Sequence, residues 1–170
     1  ALLARKEGRP EGRLAESDFL LGVYDGHRMG ALRFKLQGNE VFLDDNKELA
    51  SPPWTSIREL EQASLKLEKE GAAEDPEYLK WLQMLISPGS SLGGARPKAS
   101  VMDPKGHLWI AKFPSGHDHI DIGAWEITAH TMAKAFGIEV SEAKAQRFTS
   151  RHHTFMTKRF DRSKNDARLH

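Results

Sequence analysis

Near residue 90 the spacing of apolar residues changes period, and that change limits the folds open to this chain. Upstream, Ile57, Leu60, Ser64 and Leu67 recur at helical spacing, as do Leu79, Leu82, Leu85 and Ile86. Ser56 and Glu59 predict a capping box for the first of these helices, and Gly71 a stop. Asp75-Pro76 opens the second as N-cap and first-turn proline, and Pro88-Gly89 closes it. Downstream, Lys98 to Met102 and His107 to Phe113 alternate like strands around the turn residues Asp103-Pro104-Lys105-Gly106, which predicts a β-hairpin. Asp121 to Phe136 returns to helical spacing, with Ile122, Trp125, Ala129, Met132, Ala133 and Phe136 on one side and Gly137 at the C-cap. Val140 to Phe148 and Thr154 to Arg159 predict two more strands. The expectation is an α+β fold: a small, mostly antiparallel sheet with one packed helix, preceded by a helical segment.

Residues 1–87 then form an N-terminal subdomain, mostly helical. It carries a small hairpin around Gly38-Asn39, between Met29–Lys35 and Val41–Asp44, and residues 88–170 form a second lobe. A chain of 170 residues, 39% hydrophobic, has enough apolar material for a real core. With 25 basic against 24 acidic residues its net charge of +1 does not suit a polycation acting on nucleic acid or anionic lipid. Its longest apolar run, Phe19 to Tyr24, falls far short of the roughly 20 residues of a membrane span. Without cysteine there is no disulfide framework and no thiolate metal site, which is compatible with a cytoplasmic location. The start, Ala1-Leu2-Leu3-Ala4-Arg5-Lys6, has neither an initiator methionine nor a signal-peptide layout and reads as a helix end from a longer protein.

Charge is balanced only on average. Glu40 to Glu77 holds 11 acidic and four basic residues, whereas Ser141 to His170 holds eight basic and three acidic. Solvated surface explains such runs; two lobes meeting, or an anionic ligand near the second, are the alternatives. The stretch Pro88 to Lys98, PGSSLGGARPK, puts two serines, two adjacent glycines and two cations between a helix end and a strand. Glycines let a backbone approach an anion, and successive N–H groups in such a turn make a phosphate-sized concavity. A surface connector remains the alternative. The spacing is neither that of a Walker A loop nor that of a Rossmann fingerprint.

Lys112 adds weight to the anion reading. It ends a strand whose two faces both carry apolar residues, Trp109, Ala111 and Phe113 on one and Leu108 and Ile110 on its own. A partly buried ammonium needs a partner, and Glu126, beside the apolar stripe of the following helix, is the candidate. A strand lysine paired with a helix glutamate beneath a glycine-rich loop is how protein kinases hold nucleotide phosphates. A lysine snorkelling at a strand end is the alternative. His117-Asp118-His119, with Asp121 and His130, has metal-ligand atom types but not the i, i+4 spacing of a zinc helix. No Gly-x-Ser-x-Gly elbow supports a serine hydrolase.

Four segments in order resemble HipA-type toxin serine/threonine kinases: Ser90 to Ala99, Ile110-Ala111-Lys112-Phe113-Pro114, Trp125-Glu126, and Lys158-Arg159-Phe160-Asp161-Arg162. Gly22-Val23-Tyr24-Asp25 and Met29-Gly30-Ala31-Leu32-Arg33-Phe34 resemble the segment upstream in that family. The resemblance implies the kinase-like N-lobe of an ATP- and Mg²⁺-dependent protein kinase. Such a kinase is the toxin of a bacterial toxin–antitoxin pair and acts on a translation-related protein. It implies a phosphate loop of Gly93, Gly94, Ala95, Arg96, Pro97 and Lys98, with Lys112 on the nucleotide phosphates and Glu126 holding it. Lys158, Arg159 and Phe160 would be the hinge to adenine, and Ser91, or alternatively Ser90, the autophosphorylated residue. A HipB-like helix-turn-helix antitoxin would be the partner, with DNA reached only through it. The catalytic aspartate and the Mg²⁺ ligands of that family fall in a helical C-terminal lobe with no counterpart before His170, so this stretch by itself is expected to be inactive and to hold no metal ligand. A non-catalytic module that binds an antitoxin or partner subunit is the competing expectation.

Overall fold

A computed structural model describes residues 15–47, 50–89, 92–163 and 167–169. The described residues open with a short helix, α1 (Glu16–Leu21), and a 3-10 turn, Asp25–His27. In place of the hairpin predicted around Gly38-Asn39, a loop is closed by a single antiparallel bridge from Phe34 to Leu43. Helix α2 (Ile57–Leu67) follows a 3-10 turn at Trp54–Ser56. The predicted capping box does not form, because Ser56 already has helical dihedrals within that turn and its side chain makes no cap bond. Nor does Gly71 stop α2, which ends at Leu67. Gly71, at φ +72°, instead leads into another 3-10 turn, Ala72–Glu74.

Helix α3 (Tyr78–Gly89) starts where Asp75 accepts the backbone N–H of Glu77, and it runs through Pro88 to Gly89. Its inner face is not the stripe the leucine spacing predicts. Trp81 is buried while Leu79 is exposed, and Met84 and Leu85 pack on the core. The large indole decides which side of the helix turns inward.

Four strands follow: β1 (Lys98–Met102), β2 (Leu108–Lys112), β3 (Ala143–Gln146) and β4 (Thr154–Lys158). They form an antiparallel sheet in the order β1-β2-β4-β3. The β1–β2 turn forms as the sequence predicts. The Asp103 side chain accepts the backbone N–H groups of Lys105 and His107 and the Trp109 indole N–H, and Gly106 supplies φ +85°. These bonds outweigh burial and hold the Asp103 carboxyl down at about 2. Helix α4 (Ile122–Ala135) lies between β2 and β3 in sequence.

Period-2 alternation gives the sheet two distinct faces. Ala99, Val101, Trp109, Ala111 and Met156 face α2 and form the core with Ile57, Leu60 and Phe113. Lys98, Ser100, Ile110, Lys112, Phe155 and Thr157 face the other way, toward α4. The fold is therefore α+β, in three layers: α2 and α3, the sheet, and α4.

Glu61, wholly buried on α2, accepts the backbone N–H groups of Thr149 and Ser150 and the hydroxyls of Thr149 and Thr154. A buried carboxylate so bonded fastens the helix layer to the start of β4. Among the described residues no helix is long and apolar enough to cross a membrane.

Candidate functional site

Helix α4 is seated on the sheet differently from what its apolar stripe predicts. Trp125, Met132 and Phe136 are exposed, at 63%, 55% and 79%, and the buried position is Gly123. A Cβ on Gly123 would stand 2.0 Å from the His153 carbonyl oxygen, so only glycine allows this approach. Asp121 caps the helix by accepting from Ala124 N–H, and it also accepts from the His153 backbone N–H and pairs with the His153 ring at 2.7 Å. Burial raises the Asp121 pKa, but these bonds lower it more, to about 2. Helix and strand are thereby locked at one point, which turns Glu126 and His130 toward the sheet.

Lys112 Nζ lies 2.5 Å from Glu126 Oε2. The two side chains remain 32% and 26% exposed, so the pair is formed and still open to a ligand. Directly across the β1–β2 ladder from Lys112 stands Lys98. Like charges opposite each other are unfavourable unless something neutralises them. Lys98 Nζ donates to the carbonyls of Gly93 and Gly94, at 2.9 and 3.0 Å. Its pKa is lowered by burial first and then by the charges of Lys112 and Arg96. Gly94 adopts φ +90°, a conformation that favours glycine, with the Lys98 ammonium 3.2 Å from where a Cβ would be.

Arg96 does not join those lysines. It makes a two-pronged pair with Asp118, at 3.0 and 2.6 Å, and Asp118 also takes the Ser115 backbone N–H. Burial raises the Asp118 pKa, but the Arg96 bond and its companions lower it overall. Arg96 thus pins the glycine loop to the 115–118 turn. Ser90 and Ser91 lie outside the described residues. Ala95 and Pro97 flank Arg96 in the loop, and the Pro97 carbonyl accepts from Phe113 N–H.

On the same sheet face a cavity of about 560 Å³ opens beyond Ile110, walled by Met29, Val140 and Phe160, with His130 and Thr157 as polar lining. Lys158 and Arg159 line it too, but their backbone N–H groups are already bonded to Glu142 O and Leu108 O. Of the three residues 158–160, only Phe160 keeps its backbone N–H without a partner among the described residues, and its side chain is 75% exposed at the rim.

Behind the rim is a buried ionic knot. Arg159, with a fully buried side chain, pairs with Asp161 at 2.6 Å and donates to the carbonyls of His27 and Arg28. Asp161 also accepts from Gly30 N–H and Arg162, and Arg162 donates to the Gly26 and Arg28 carbonyls. Burial raises the Asp161 pKa, but the arginines and Gly30 N–H hold it below its ordinary value. Asp25, bonded to Arg33 and Arg168, extends the knot. It clamps residues 26–30 against the end of β4 and brings Met29 into the cavity wall.

Three of these features escape sequence reasoning: the seat at Gly123, the anchor at Glu61 and the cavity position of His130. Only the last leaves a signal, since His130 lies four residues after Glu126 and so on the same helix face. The aspartates of 117–121 are spent: Asp118 on Arg96, and Asp121 on His153 and the α4 cap. Among the described residues no group of three or more His, Asp or Glu side chains is placed to hold a metal ion.

Residues 90–170 match the family described as HipA-like C-terminal domain. The match takes in all four strands and α4, so that part of the chain is similar to the HipA family. No curated protein and no solved structure matches the chain.

Proposed function

We propose that this HipA-related chain carries the nucleotide-binding lobe of an ATP-dependent serine/threonine protein kinase, the toxin of a bacterial toxin–antitoxin pair. The observation that carries the reading is one of placement. The cavity and the cross-strand lysines lie on one face of one strand, with Ile110 under the cavity and Lys112 two residues on, about 7 Å away. A base in the cavity sends its phosphates toward Lys112 and Lys98, where two ammonium groups face one carboxylate.

The residues act together as follows. Gly93, Gly94, Ala95 and Pro97 bring main-chain groups close to the phosphates, and Arg96 holds that loop down through Asp118. Glu126 fixes Lys112, which neutralises phosphate charge. Lys98 releases the Gly93 and Gly94 carbonyls to do the same. At the hinge of Lys158, Arg159 and Phe160, the Phe160 N–H is the donor left for the base. ATP supplies the phosphoryl group for transfer to a translation-related protein. Mg²⁺ would accompany ATP, but the described carboxylates form no metal-holding group, so no step here runs through it. Phosphorylation of Ser91, or of Ser90, would add about −1.5 to −2 charges to a loop that must cradle phosphates, and so repel ATP or eject the loop. A HipB-like helix-turn-helix antitoxin is the partner, and DNA is met only through it, in the cytoplasm.

The test is titration of the chain with a fluorescent ATP analogue, followed by competition with unlabelled ATP and with pyrophosphate. Saturable binding displaced by both is expected. Absence of binding, or binding indifferent to pyrophosphate, would overturn the reading.

A further inference from the structure

We propose that His130 reads the base of the nucleotide, accepting a hydrogen bond from an exocyclic amine such as that of adenine. The inference rests on the nucleotide reading above and adds to it the residue that selects the base.

His130 sits one turn after Glu126 on α4, so a single helix serves both ends of the site. Glu126 holds the lysine at the phosphate end, and His130 lines the cavity at the base end. Its ring is fixed in two ways, tilted against Phe155 at 6.4 Å between centroids and bonded through Nε2 to the Ser141 carbonyl at 2.5 Å. A carbonyl oxygen only accepts, so Nε2 carries the hydrogen. In the neutral ring Nδ1 is then a bare acceptor, and it has no hydrogen-bond partner among the described residues. An unengaged acceptor on a ring that lines the cavity suits an amino group and opposes the carbonyl that guanine carries at the equivalent position. A site that offers a fixed partner to a polar group discriminates strongly against the analogue lacking that group.

The experiment is displacement of the fluorescent ATP analogue by ATP, GTP and purine riboside triphosphate, which lacks the exocyclic group. It is run on the chain and on His130→Phe, which keeps an aromatic ring and removes both nitrogens. The unaltered chain is expected to bind ATP about tenfold or more tighter than either competitor. In His130→Phe, ATP falls to the level of purine riboside triphosphate, whose own affinity stays put. Two results overturn the proposal: equal affinities for ATP and purine riboside triphosphate in the unaltered chain, or equal weakening of both in His130→Phe, as a purely structural residue would give. The first needs no variant to fold. Absence of base discrimination in the unaltered chain, with pyrophosphate still binding, sinks His130 alone. Failure of every triphosphate and of pyrophosphate to bind sinks the nucleotide reading and this proposal with it.

Discussion

Two cationic regions of this molecule use their charge in opposite ways. In the knot behind the cavity, Arg159 and Arg162 bond to Asp161 and to carbonyls more than 130 residues away in sequence, and their side chains are 0% and 8% exposed. At the end of the β1–β2 ladder, among the described residues, Lys98 bonds to carbonyls four and five residues back, and Lys112 to one carboxylate. The two lysines face each other while still in reach of solvent. The knot closes the fold. The lysine pair leaves positive charge that a polyanion would complete. Positive charge therefore does not mark a binding site; the range and completeness of its compensation do.

Breaking the knot should have the largest effect. Arg159→Ala leaves Asp161 buried and short of its main partner, and loss of one member of a buried pair costs about 3–5 kcal/mol. Urea unfolding should show that loss, and a change below 1 kcal/mol would move the knot to the decorative side of the comparison. Gly123→Ala comes next, since its methyl cannot fit against the His153 carbonyl. Overpacking of this kind costs about 1–3 kcal/mol, and the shift of α4 should part Glu126 from Lys112. A melting temperature unchanged from the parent would contradict the described seat.

Acid should reach the fold through Asp121 and Asp103. Both have folded-state pKa values of about 2 against an ordinary 3.8. Their stabilisation is present above the ordinary value and is lost as pH falls through the folded one. Melting followed from pH 5 to pH 2 should drop over that window, and Asp121→Asn should flatten the drop. An unchanged slope in the variant would remove Asp121 from the account.

The smallest stability effect belongs to Lys98→Met. It relieves the repulsion from Lys112 and should alter stability by no more than about 0.5 kcal/mol, while pyrophosphate affinity falls about tenfold. A large destabilisation would make Lys98 a fastener like Arg159.

What could be read in the sequence follows the range of the interactions. The β1–β2 hairpin is legible because strand alternation and the Asp103–Gly106 turn are both local. The Lys112–Glu126 contact is legible because a lysine at the end of a half-buried strand needs a carboxylate nearby. Helix α4 misleads, since Trp125, Met132 and Phe136 look like core, yet the helix is seated by the missing side chain of Gly123. Glu61 is silent for another reason: its partners lie 88 to 93 residues downstream. Met29 reaches the cavity only through the arginine knot, which no local pattern announces.

The most direct test of the central contrast is the rise in unfolding midpoint that saturating ATP produces in the parent chain and in Lys112→Met. The account predicts a clear rise in the parent and little or none in the variant, whose midpoint without ATP stays near that of the parent. An equal rise in both would show that the lysine pair is not where the phosphates bind.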